Sequence, residues 1–245
     1  MVKNKITTMS NVQELASMID HTILHPQLTD KDLEIGCQVA AKYNVASVCV
    51  KPFAVDQAKK LLAGTAVKVG CVVGFPGGIS SIDVKVYETV QAIKDGAQEI
   101  DMVINIGKAM QKDWAYLKEE IKALADACHE RGATLKVIFE TDYITEEESI
   151  VKLCQICTEV EADYVKTSTG FGFVKGDDGR FSYEGATDEV LKLMKASVGP
   201  NVKIKASGGI RSLKRLLEVK EIGCHRAGAT ATIDMLEEAM AQLAD

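Results

Sequence analysis

Short runs rich in β-branched residues alternate along this chain with longer stretches whose apolar residues recur every three or four positions. The first rhythm is that of buried strands and the second that of amphipathic helices. The strands predicted are SMIDHT at 17–22, ASVCV at 46–50, VKVGCVVGF at 67–75, EIDMVIN at 99–105, TLKVIFE at 134–140, DYVK at 163–166, VKIKAS at 202–207 and HRAGA at 225–229. Between them, segments such as DVKVYETVQAIKDGA, WAYLKEEIKALADACHERGA and TDEVLKLMKASV read as helices.

The predicted strand ends fall at 20, 50, 74, 104, 140, 166, 205 and 228, the spacing of successive βα units. Eight parallel strands with helices between them is the count that closes a barrel, so the fold expected is an α/β class, single-domain (β/α)8 TIM barrel. An open, doubly wound sheet is the alternative, but it usually has fewer strands and a glycine-rich turn after the first. Here the first strand runs into DHTILHP, which has no glycine. No Pro- or Ser-rich linker divides the chain, so residues 1–245 are expected to form one domain. The first fifteen or so residues are expected to form a short amphipathic helix that leads into the barrel or covers its floor.

One segment breaks the rhythm. After Lys166 the chain reads TSTGFGFVKGDDGRFSYEGATDEV, and the next helix is predicted only near Thr187. The KGDDGR core is turn chemistry. A loop this long in a compact barrel tends to be functional or mobile. Because it follows a strand, it belongs to the C-terminal face, where barrel active sites are built.

Residues two apart on a strand share a face, so parity predicts which polar groups enter the barrel. Glu99, Asp101 and Asn105 fall on one face of their strand, Lys136 and Glu140 on one face of the next, and Lys166 stands with Tyr164. Lys203 and Lys205 likewise share a face, with Lys203 expected one layer lower, opposite Glu99 or Asp163 near the barrel floor, or simply preceding the strand. Burying such groups unpaired is costly, so they are expected to pair or to serve function. Lys166 and Lys205 end neighbouring strands. If both point inward, like charge and desolvation together lower the pKa of one of them, and a neutral amine is what a Schiff-base nucleophile needs. Asp101, expected at the rim of its strand, is the candidate carboxylate for proton transfer.

After the seventh strand comes ASGGIRSLKRLL, and after the eighth AGATATIDML, with Arg211 and Thr230 adjacent to the glycines. Backbone N–H groups where helices begin bind anions, and the last two loops of a barrel are its usual phosphate site.

Composition narrows the setting. Of 245 residues, 47% are hydrophobic and 26% charged, with a formal charge of −6. Without a long Lys/Arg block the chain is not expected to bind nucleic acid, although a small anionic ligand fits. Its apolar runs are too short to cross a bilayer and its N-terminus lacks the apolar core of a signal peptide, so no membrane partner and a cytoplasmic location are expected. Seven scattered cysteines, an odd number, indicate reduced thiols rather than a disulfide framework. Cys154 and Cys157 form a CxxC, but inside a helical pattern and without a second pair at zinc-ribbon spacing, so they are expected to be ordinary thiols.

IDHTIL, ASVCVKP, EIDMVINIG, LKVIFET, YVKTSTGFG, KASGGIR and the final GAT resemble, in order and spacing from about residue 16 to residue 232, the strand motifs of the deoxyribose-phosphate aldolase family, a family of class I aldolases. VKTSTGF is highly specific, whereas the glycine motifs are not. The resemblance implies a barrel that reversibly cleaves 2-deoxy-D-ribose 5-phosphate to glyceraldehyde 3-phosphate and acetaldehyde, without metal or other cofactor, and that forms a homodimer. By motif position Lys166 would be the Schiff-base lysine, Lys205 the lysine that depresses its pKa, and Asp101 a member of the proton relay. Thr169, Gly170, Gly208, Gly209, Ile210, Arg211, Gly228 and Thr230 would line the substrate, mostly at its phosphate, and Asp20, Thr22 and Cys49 match other pocket positions. The sequence departs from the family twice. Thr230 and Ala231 stand where serines are common, and GFVKGDDGRFSYE intervenes where the family passes quickly from STGF to GAT.

The residues themselves leave other readings open. A metal-dependent aldolase would need clustered ligands, and only His21 and His25 of the four histidines are close in sequence. A phosphosugar isomerase would use Glu140 as its base, and a ligand-binding barrel would need no neutral lysine.

Overall fold

A computed structural model describes residues 8–176 and 178–243. Eight parallel strands close into a barrel: β1 (Ile19–Ile23), β2 (Ser47–Val50), β3 (Lys68–Val73), β4 (Glu99–Val103), β5 (Thr134–Ile138), β6 (Tyr164–Lys166), β9 (Lys203–Ser207) and β10 (Arg226–Ala229). Their order around the wall follows the chain, and β10 pairs with β1 in parallel, Asp20 opposite Gly228, to complete the ring. The closed ring excludes the open-sheet alternative.

Helices form where the periodicity predicts them, with local signals at their ends. The segments singled out in the sequence become α4 (Ile82–Asp95), α6 (Trp114–His129) and α8 (Asp188–Ser197). The Asp113 carboxylate caps α6 by accepting from the Tyr116 N–H. Thr187 caps α8 in the same way through the Val190 N–H, which sets the late helix start expected after the long loop. Cys154 and Cys157 lie in α7 (Glu147–Glu159) as buried free thiols, and burial raises Cys154 to about 12. Ahead of β1, α1 (Met9–Ala16) packs on α10 (Thr232–Ala241) through an apolar side that includes the buried Val12 and Leu15. Residues 1–7 of the expected leading helix lie outside the described residues. Among the described residues no helix is long and apolar enough to cross a membrane.

The long segment after β6 is not a plain loop. Val174–Lys175 (β7) and Phe181–Ser182 (β8) pair antiparallel as a small hairpin on the C-terminal side of the barrel. Two-residue strands surrounded by turn residues give too little alternation to be legible as strands in sequence.

Two corrections concern residues at strand ends, the face of Asn105 and the partners of Lys203. β4 stops at Val103, and Asn105 leaves the inward face to cap α5 (Ile106–Met110), accepting from the Lys108 N–H. Lys203 opens β9 and is exposed at the barrel floor, its ammonium 5.6 Å from the centre of the Tyr164 ring. The partners expected for it are taken: Glu99 binds Lys136 and Arg226, and Asp163 contacts His129 at 2.9 Å.

Outside the barrel wall a buried ion pair fastens β4 to two helices. The Lys85 ammonium donates to the Val103 carbonyl at 2.7 Å and to Glu120 at 2.6 Å, while Glu120 accepts from the Asn105 N–H at 2.9 Å. Burial lowers the Lys85 pKa and raises that of Glu120, each opposed by its partner. Lys85→Met would strand the Glu120 carboxylate and is expected to cost about 3–5 kcal/mol in urea unfolding, with the Lys85→Met/Glu120→Leu pair costing less than the single change. A single variant as stable as the parent would show that this pair does not hold β4.

Candidate active site

The interior layer of this barrel is ionic where branched aliphatic side chains would be usual. Asp20 on β1, Glu99 and Asp101 on β4, Lys136 on β5, Lys166 on β6 and Lys205 on β9 are all buried inside it, and Arg226 on β10 is nearly so. The strands place them there by alternation, as parity predicts, and Gly70 on β3 adds no side chain beside Glu99.

The contacts are unequally shared. Lys136 touches three carboxylates: Glu99 at 2.6 Å, Asp101 at 2.9 Å and Asp20 at 3.1 Å. Its approach to Asp101 Oδ1 is an ion contact and not a directed hydrogen bond. Lys205 touches two, Asp20 at 2.5 Å and Asp101 at 2.7 Å. Arg226 bridges Asp20 and Glu99, and Ser47 donates to Asp20 at 2.7 Å. Lys166 touches one carboxylate only, Asp101 Oδ2 at 2.7 Å, the same oxygen that binds Lys205.

Four cations therefore face three carboxylates inside the wall, with Lys68 reaching Glu99 from the floor at 3.4 Å. A low-dielectric interior disfavours the surplus charge, and the cation with the least compensation sheds it most readily. Arg226 cannot serve, since a guanidinium keeps its proton. For Lys136 and Lys205, burial pushes the pKa down but the carboxylates outweigh it and hold both above the ordinary lysine value. For Lys166, burial is the largest influence, Lys205 adds to it, and Asp101 alone does not restore the balance, so its pKa is lowered. The neutral-amine expectation thus has its direction from this geometry, with burial ahead of Lys205 as the cause.

Asp101 needs a correction of height. It lies two residues below the end of β4, fully buried, not at the rim. Burial favours its neutral form, but Lys136, Lys166 and Lys205 together overcome that and hold it well below the usual carboxylate range. It is an ionised partner placed directly on the Lys166 nitrogen.

Above this layer opens a cavity of about 370 Å³ on the C-terminal face. The β6 loop gives it Thr169 and Gly170, the β9 loop gives Gly208, Gly209, Ile210 and Arg211, β1 and β10 give Thr22 and Gly228, and the turn after β10 gives Thr230. Asp20 and Cys49 do not line it. Asp20 is held in the ionic layer, and Cys49 packs beside Leu24 and Val72, its thiol raised to about 11 by burial first. Lys166 and Lys205 lie just under the floor: a Cβ on Gly228 would come within 3.4 Å of Lys205 Cε. His21 bonds Thr232 at 2.8 Å, and burial lowers its pKa to about 4, whereas His25 lines the cavity.

Glu140 joins the site from beside it. Its backbone is left-handed, φ 58°, and its buried carboxylate accepts from the Thr169 N–H and hydroxyl, which fixes the β6 loop. A non-glycine residue held there by its surroundings is a common mark of functional sites.

Sequence reasoning missed Arg226 and left Lys136 and Glu99 outside the candidate site. Their signal was present: Arg226 is two residues from Gly228, and Lys136 pairs in register with Asp101 and Tyr164. Tyr183, Phe173 and Phe171 also line the cavity and belong to the long segment after β6, where no periodicity marked them.

Comparison with known proteins agrees with this arrangement. Residues 15–236 match the family described as DeoC/LacD family aldolase. A Clostridium perfringens protein named deoxyribose-phosphate aldolase is 48% identical over 225 residues, covering 92% of this chain and 95% of its own. One of the same name from Thermococcus kodakarensis is 44% identical over 231 residues, covering 94% and 98%. Among solved structures, an aldolase called QR15 superposes with a TM-score of 0.84 at 36% identity, covering 94% of this chain and 97% of that one. A tetrameric deoxyribose phosphate aldolase from Aeropyrum pernix gives 0.83 at 25% identity, covering 94% and 92%. A barrel with three buried lysines around one aspartate, matched along nearly its whole length, belongs to the DeoC/LacD family of aldolases.

Proposed function

We propose that this protein cleaves 2-deoxy-D-ribose 5-phosphate reversibly to D-glyceraldehyde 3-phosphate and acetaldehyde, through a Schiff base on Lys166, with the whole chain acting as one domain. The observation that carries this reading is the isolation of Lys166: a buried amine with a lowered pKa and a single carboxylate partner, under a cavity sized for a small sugar.

The neutral Lys166 amine attacks the aldehyde carbon of the open-chain sugar. Loss of water gives an iminium, which draws electrons as the bond between the second and third carbons breaks. The three-carbon phosphorylated aldehyde leaves, and the two-carbon enamine is protonated at carbon and hydrolysed to free the lysine. Because a neutral amine is held weakly by Asp101, Lys166 is the lysine free to turn toward the cavity floor. Asp101, within hydrogen-bond reach of that nitrogen, suits proton transfer at nitrogen, and Lys205 keeps the carboxylate in place. Thr22, Thr169, Gly170, Gly208, Gly209, Ile210, Arg211, Gly228 and Thr230 form the substrate wall, and Asp20 supports it from beneath.

Seven buried free thiols accord with a reducing, cytoplasmic setting. The assembly proposed is a homodimer. The Aeropyrum pernix relative is tetrameric.

Two experiments test the chemistry. Borohydride added with acetaldehyde should leave a reduced two-carbon adduct on Lys166 in a peptide map, and Lys166→Met should abolish both adduct and turnover. An adduct on another lysine would refute the assignment. Since only the neutral amine attacks, the rate should rise with pH through the depressed pKa of Lys166, giving an acid limb below the ordinary lysine range. Lys205→Met removes the surplus cation, so Lys166 keeps its proton to higher pH. The acid limb should move upward and the neutral-pH rate fall by roughly 10²-fold. A limb that stays in place would show that Lys205 does not set the balance.

A further inference from the structure

The hairpin after β6 brings a hydroxyl to a charged group at the cavity. Among the described residues, Arg211 is the one permanently charged side chain lining that cavity, and its Nη2 donates to the Tyr183 hydroxyl at 2.5 Å. The phenol oxygen accepts from the guanidinium, so its own O–H proton is left to donate. Together the pair presents a charge and a hydroxyl donor to one region of the wall, a combination suited to an anionic oxygen.

Tyr183 is held in that position from several sides. Its ring meets Phe173 edge-on at 5.3 Å, and the Tyr143 hydroxyl donates to the Phe173 carbonyl at 3.1 Å. Immediately after it, the Glu184 and Gly185 N–H groups donate to Asp142 Oδ1 at 2.6 and 3.0 Å. Gly185 then rests directly on Gly208: a Cβ there would lie 2.7 Å from the Gly208 carbonyl carbon. The Ala186 N–H donates to the Gly208 carbonyl at 3.2 Å. The base of the hairpin is thus fixed to the same β9 loop that carries Arg211.

We propose that Tyr183 is a specificity-determining residue, whose hydroxyl orients Arg211 and itself donates to the anionic end of the ligand, so that the hairpin directs the site toward phosphorylated over unphosphorylated sugars. This deepens the aldolase reading and rests on it for the identity of the sugar, but the anion contact is independent of turnover.

The test uses the full chain with two readouts. Calorimetry with inorganic phosphate measures the anion contact, and kinetics on deoxyribose with and without its 5-phosphate measures selectivity. Tyr183→Phe keeps the ring against Phe173 and removes only the hydroxyl. It should weaken phosphate binding about tenfold and lower the selectivity ratio by a similar factor through KM, not kcat. Arg211→Lys, which keeps the charge but loses the planar donor set, should reproduce the effect, and the double variant should be little worse than the larger single change. Unchanged phosphate affinity and an unchanged ratio in Tyr183→Phe would overturn the proposal while leaving the aldolase reading intact. A fall in kcat at constant KM would overturn it too, since that indicates only structural support. If the parent cleaves neither sugar yet loses phosphate affinity on Tyr183→Phe, the anion role stands and the aldolase reading falls.

Discussion

Three carboxylates and four cationic side chains share the closed interior of the barrel, and a medium of low polarity does not hold the surplus charge cheaply. The contacts decide where the deficit falls. Lys136 is surrounded by acids, Lys205 has two, Arg226 has two and cannot lose its proton, and Lys166 has one. The lowered pKa of Lys166 is thus a property of the whole ring of charges and not of one neighbour. The same ring holds Asp101 ionised, which places an anionic partner on the Lys166 nitrogen.

The rest of the fold serves this layer. Closure of β10 on β1 removes the sheet edge through which water would reach the charges. On the outside, Lys85 and Glu120 tie down the end of β4, the strand that carries both Glu99 and Asp101. Above, Glu140 ties the segment after β5 to Thr169 of the β6 loop, and Gly185 of the segment after β6 rests on Gly208 of the β9 loop, so the cavity wall is fastened on two sides. The ionic groups sit on strands and most of the cavity lining on loops, the usual division of labour in this architecture.

Much of this was legible in the sequence because a strand has a strict period of two. Alternation alone put Asp101, Lys136, Lys166 and Lys205 on inward faces, and the count of βα units gave closure. Height within the barrel was not legible, because parity says which face a residue occupies but not how far it lies from the rim. Hence Asp101 was expected too high, and Lys203, placed near the floor as expected, was given partners that other cations hold. Arg226 was within reach of the same argument, through its alternation with Gly228. The hairpin was beyond it: turn residues and two-residue strands carry no period, and the meeting of Tyr183 with Arg211 depends on how two loops dock.

The central claim concerns which lysine lacks its proton, and an NMR titration of the lysine side-chain amines in the unliganded protein reads this directly. The charge balance predicts that Lys166 titrates below an ordinary lysine while Lys136 and Lys205 remain protonated through the same range. Lys166 titrating like a lysine in water, or losing its proton after either of the other two, would contradict it.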